Sequence, residues 1–190
     1  TLTEATRMRL HAAESPSNLL YLDFGASNTV TNASDVWNQV AMNTSIRNAV
    51  GNGTGTPAEL ISDLLDANGL PTGITLTRTD TLGGTNDNGT QSGPYPIGAT
   101  SDTLFGHANT WNGFTDNNQG IFVLSNLDSN HSYDFTFYAS RNSVGDNRET
   151  EYTLTGAASQ SVTLNPANNI SDTVQITDVQ PNASGEITLR

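Results

Sequence analysis

The chain has 190 residues, no cysteine, 19 acidic against seven basic side chains and a formal net charge of −12. All seven bases are arginine; a surface this acidic excludes nucleic acid as a partner and disfavours an anionic membrane. Disulfide scaffolds, zinc ribbons and thiol nucleophiles are ruled out, and the length fits a single domain.

Residues 1–17 carry two of the seven arginines and little periodicity, and are expected to be a linker or edge strand from a longer parent protein. Residues 18–190 are expected to form one β-sandwich module. Leu19 to Phe24 reads as a buried strand stopped by Gly25. Val36, Val40 and Ile46 sit near helical spacing, which predicts a short helix within 35–48. Leu60, Ile61, Leu64 and Leu65, with Pro57 near their start, predict another over 58–66. Thr72 to Asp80 alternates cleanly, with Ile74, Leu76 and Arg78 on one side, and reads as a strand. Residues 81–98 form a long Gly/Asn/Asp loop holding Tyr95 between two prolines, and 101–106 predict a helical turn.

Strands are then expected at 120–124, 132–140, 149–155, 161–164, 173–177 and 186–189. About eight short strands at intervals of roughly 8–15 residues imply an all-β jelly-roll sandwich with a few short helices. Leu22, Phe24, Ile74, Leu76, Phe135, Phe137, Leu154, Val174 and Ile176 are its expected core.

The composition agrees: 22 Asn, 27 Thr, 17 Ser and 17 Gly favour turns and polar strand faces over helices. Such a chain stays soluble through neutral polar groups, as secreted or cell-surface β-proteins do. The missing cysteines favour a bacterial exoprotein.

Catalytic signatures are absent. His11, His107 and His131 have no metal-ligand spacing, and there is no Gly-x-Ser-x-Gly elbow. Gly145-Asp146-Asn147 lacks the serine that would make it an esterase nucleophile. The run Gly84 to Gly89 lacks both the first Asp and the closing Glu of an EF-hand loop. The expectation is a protein with no catalytic residues, not an enzyme.

Several segments carry a resemblance. They are Tyr21-Leu22-Asp23-Phe24-Gly25, Trp37-Asn38, Asn68-Gly69 with Thr72-Gly73-Ile74, and Tyr95-Pro96 with Ser101-Asp102. Leu127 comes next, then Tyr133 to Tyr138, Ser140-Arg141, Asn147-Arg148-Glu149-Thr150-x-Tyr152 and Val179-x-Pro181-x-Ala183-x-Gly185-x-Ile187. Their order, over about residues 19–190, resembles an accessory module appended to secreted bacterial polysaccharide-degrading enzymes, of the galactose-binding-like and malectin-like jelly-roll kind. That resemblance implies a non-catalytic carbohydrate-binding module bound to a polysaccharide or oligosaccharide; the alternative is a structural spacer or adhesive surface module. Jelly rolls of this kind often carry a structural Ca²⁺, for which Asp23, Asp172 and Asp178 are the candidate ligands.

Sugars are bound by aromatic faces that stack on their C–H patches and by planar polar groups that hold two hydroxyls at once. Tyr95, Trp111, Asn112, Arg141, Asp146 and Arg148 are the candidate ligand-binding residues, because they lie outside convincing strand alternation; Trp37 is held in reserve. Loops 81–98, 107–118 and 141–148 are expected to bring them to one end of the sandwich. The competing structural readings are that the tryptophans plug the sandwich and that Arg141 and Arg148 are neutralised by Asp146, Glu149 and Glu151.

Overall fold

The computed structural model describes residues 17–25, 30, 33–41, 58–80, 82–107 and 118–190. Its elements are β1 (Tyr21–Gly25), β2 (Trp37–Ala41), β3 (Ala58–Ile61), β4 (Thr75–Asp80), β5 (Gly84–Asn86), α1 (Ile97–Thr100) and β6 (Thr103–Phe105). They continue with β7 (Ile121–Ser125), β8 (Tyr133–Phe137), β9 (Thr150–Thr155), β10 (Ser159–Leu164), β11 (Val174–Val179) and β12 (Ile187–Leu189). The fold is all-β, as expected.

Six strands form one antiparallel sheet in the order β10-β9-β12-β7-β4-β3. Three two-stranded ribbons accompany it: antiparallel β8-β11 and β5-β6, and parallel β1-β2. The inner face of the large sheet follows from period-2 alternation: Leu76, Phe122, Leu124, Leu154 and Ile187 all point to it and are buried. Ile176 and Val179 from β11 and Val40 from β2 close the core from the other side, giving a sandwich-like packing.

Leu76, Leu154 and Ile176 are fully buried, as expected of them. Leu22, Phe24, Ile74, Phe135, Phe137 and Val174 are only half-buried. The physical reason is the layer opposite the large sheet, which consists of narrow ribbons and leaves the margins of its apolar rows uncovered. Phe135, Phe137 and Tyr152 lie in one stacked file, with centroids 6.4 and 4.4 Å apart. Burial pushes the Tyr152 phenol up to about 12.

Three expected helices are corrected. Residues 37–41 are strand β2, while 42–48 lie outside the described residues. Residues 58–61 are strand β3, and the chain then turns around Asp66, whose carboxylate accepts the backbone N–H groups of Ser17, Asn68 and Leu70. Burial raises the Asp66 pKa, but these backbone bonds and one from Gly69 together bring it below the usual carboxylate range. The turn of helix expected at 101–106 lies earlier, at 97–100, and 103–105 is a strand. The first two errors share a source: Val36/Val40, Leu60/Leu64 and Ile61/Leu65 are four apart, a spacing that satisfies period 2 as well as period 3.6. The expected loop 81–98 likewise contains β5 and the start of α1.

Candidate functional site

The parallel pairing of β1 with β2 sets Tyr21 opposite Trp37, Asp23 opposite Gln39 and Gly25 opposite Ala41. Leu22, Phe24 and Val40 face the core, so alternation turns Tyr21, Asp23, Trp37 and Gln39 to the other side. Asn38 fixes β2 in this register. Its buried amide donates to the carbonyls of Tyr21 (3.0 Å) and Leu65 (2.8 Å), and its oxygen accepts the Leu65 N–H (2.9 Å).

On that outer side Tyr21 and Trp37 stack, with centroids 4.7 Å apart and planes 20° from parallel. Tyr95 meets Trp37 edge-on at 5.7 Å, and Tyr138 meets Tyr95 edge-on at 5.8 Å. Four half-buried rings therefore run in an unbroken row from β1 to the residue after β8. Burial raises the Tyr95 phenol pKa, and the neighbouring Tyr21 phenol adds to it; burial likewise raises that of Tyr138.

Tyr95 is positioned by what surrounds it. Pro96 takes the extended conformation before α1, with φ −56° and ψ 148°. Thr100 donates to the Thr90 carbonyl (3.0 Å), Thr90 N–H to the Ser140 hydroxyl (2.9 Å), and that hydroxyl to the Asn169 carbonyl (2.7 Å). This buried chain ties segment 90–100 to the strand end that bears Tyr138. Gly93 packs closely there: a Cβ would meet the Tyr138 hydroxyl at 3.0 Å and Thr100 Cγ2 at 3.1 Å. Leu19, Leu65, Ile97 and Ile170 are the exposed large aliphatics among the described residues. Leu19 precedes Tyr21 by two residues, Leu65 is bonded to Asn38, and the Ile170 carbonyl accepts from the Tyr138 hydroxyl at 3.4 Å.

A pair of carboxyl groups meets at β1. Asp23 and Asp102 are 3% and 4% exposed, and Asp102 lies over the Cα of Gly25, where a Cβ would stand 2.5 Å from its Oδ2. Burial first, and the Asp102 charge second, push the Asp23 carboxyl up to about 7, against a lowering bond from Gln39.

The expected site residues separate into groups. Trp37 and Tyr95, assigned to reserve and main site from the sequence, are in direct contact. Asp146 and Arg148 pair on the exposed loop, with Nε to Oδ1 at 3.0 Å. Arg141 donates through Nη1 to the Asn142 carbonyl at 3.1 Å, and its backbone is held by Pro166 and Asn168. Loops 81–98 and 141–148 do meet, through Asn142, which bonds the carbonyls of Asn88 and Gly89 at 2.7 Å each. Trp111 and Asn112 lie outside the described residues. Asp172 and Asp178 are both exposed, and neither is among the groups acting on Asp23.

Tyr21, Tyr138 and Asp102 were missed as site residues. The signal for Tyr21 is the alternation of β1, which opposes it to Leu22 and Phe24. Comparison with protein families, curated proteins and solved structures finds no match.

Proposed function

We propose that the chain is a non-catalytic carbohydrate-binding module of jelly-roll architecture, secreted or surface-displayed by a bacterium, that keeps a parent enzyme on its polysaccharide. The observation that supports this is the row Tyr21–Trp37–Tyr95–Tyr138. Successive rings at 4.7, 5.7 and 5.8 Å offer an extended apolar track, the shape needed to bind a sugar chain through its C–H patches. Exposed aliphatics beside its members lengthen the apolar surface. A modest affinity suffices for such a module, because tethering gives the enzyme a high local substrate concentration.

One observation favours a structural spacer instead: the rings engage each other, and such contacts also fix segment 90–100 against β1 and β2. The two readings separate on a glycan array of neutral and uronic-acid polysaccharides, followed by titration of the best hit against Trp37→Ala and Tyr95→Ala. The binding-module reading expects a hit and its loss in both variants with the fold intact. No hit would leave the spacer, and a hit unaffected by either substitution would move the site to Arg141, Asp146 and Arg148 with Trp111 and Asn112.

A further inference from the structure

A guanidinium taken out of water and given no acceptor is among the least favourable groups a protein can bury. Arg78 is such a group. It lies on the inner face of β4, two residues after the fully buried Leu76 and opposite the buried Phe122 of β7. The residue is 6% exposed; its Nη1 is sealed from solvent and donates to no acceptor among the described residues. Asp80, two residues on and buried as well, is the acid whose charge acts on Arg78, yet the two form no ion pair. Asp80 Oδ2 instead accepts from Gln119 Nε2 at 3.1 Å, and Gln119 Oε1 accepts from Arg190 Nε at 2.8 Å. Burial pulls the Arg78 pKa down against the Asp80 charge, but a guanidinium stays charged at neutral pH.

We propose that Arg78 anchors an anion-binding site that takes one carboxylate group, carried by a small organic acid or by a uronic acid. The guanidinium is planar, and its N–H donors form a fork that matches the two oxygens of a carboxylate in parallel, charge-assisted bonds. Leu76 and Phe122 make the surroundings apolar, which strengthens such a pair. One negative charge matches one guanidinium; a more highly charged anion would add repulsion from Asp80 and from a chain of net charge −12. The small residual exposure suits a group that projects from its carrier, as a carboxylate does. Arg190, held to the Asp80 end of β4 through Gln119, draws anions to that end. The ring row lies on the outer side of β1 and β2, away from the inner face that bears Arg78, so the inference does not rest on sugar stacking.

Thermal melts of the whole chain in sodium acetate, sodium galacturonate and sodium chloride, at equal ionic strength and neutral pH, test it together with titration calorimetry of both acids. Either carboxylate at about a hundred times its Kd should raise the Tm by roughly 5–10 °C above the chloride value. A tenfold preference for galacturonate identifies a uronic acid as the ligand, and equal affinities identify small carboxylates in general. Arg78→Met keeps a stem of similar length and removes the charge; it should lose the shift and melt in chloride no lower than the parent. Trp37→Ala and Arg148→Ala should keep the shift. No gain over chloride in the parent would overturn the proposal, as would a full gain in Arg78→Met or its loss in Arg148→Ala. A much lower Tm of Arg78→Met in chloride would overturn it too, since the guanidinium would then already have its counter-charge within the chain.

Discussion

The side-chain amide of Asn38 pairs with Leu65 as one strand pairs with another, accepting from its N–H at 2.9 Å and donating to its carbonyl at 2.8 Å. The second amide hydrogen reaches the Tyr21 carbonyl, so one buried group joins three chain segments. Asn38→Asp replaces both donors with a carboxylate facing two carbonyls. We expect a loss of about 2–4 kcal/mol in urea unfolding at unchanged m-value.

The ring row makes a graded prediction. Trp37→Ala should reduce affinity for the best glycan hit by about tenfold or more, corresponding to about 1.4 kcal/mol. Tyr95→Phe keeps the ring and should bind within about twofold of the parent if stacking, and not the phenol, carries the contact. Titration calorimetry reads both.

Arg148 pairs with Asp146 where both side chains are open to solvent, 47% and 64% exposed. Arg148→Ala should therefore change stability by less than about 0.5 kcal/mol. With the ring row as the site, neutral-glycan affinity stays as it was. A selective loss for uronic-acid polymers would bring Arg148 back into the site, through the bidentate contact that arginine makes with carboxylate.

Asp23 sets a pH dependence with a definite sign. Its carboxyl, pushed up to about 7 in the folded chain from an ordinary value of 3.8, binds more protons folded than unfolded between those limits. That contribution to stability is full at low pH and is lost as pH rises through the folded value. In EDTA, the Tm should fall between about pH 5 and 8, a range in which Asp66 and Asp128, both lowered, stay ionised in either state. Asp23→Asn should flatten that slope.

Leu154 is completely buried between β12 and β10, and Leu154→Ala should cost about 2–5 kcal/mol through lost burial and the cavity left behind. Val174→Ala, at the half-covered margin, should cost well under half as much. Paired urea melts compare them.

Strands were legible wherever alternation ran beside turn residues. Thr75 to Asp80 and Tyr133 to Phe137 needed no tertiary information, because their period is incompatible with a helix. Apolar residues four apart were not legible, since both periods accept them, and β2 and β3 were misread for that reason. Trp37 and Tyr95 could be named as ring candidates but not joined, because 58 positions separate them and only the fold makes them neighbours. Asp102 was hidden more deeply: beside Ser101 it looks like a helix cap, and its role depends on the missing side chain of Gly25.

Strand β12 lies between β7 and β9, with Ile187 opposite Leu124 and Leu189 opposite Leu154. Until it arrives, the large sheet consists of two unconnected pieces, β3-β4-β7 on one side and β9-β10 on the other. A ribosome adds these residues last of all the sheet's strands, at roughly 5–20 residues per second. The nascent chain therefore cannot complete the large sheet until residues 187–189 have cleared the exit tunnel, and until then the inner edges of β7 and β9 stay unpaired.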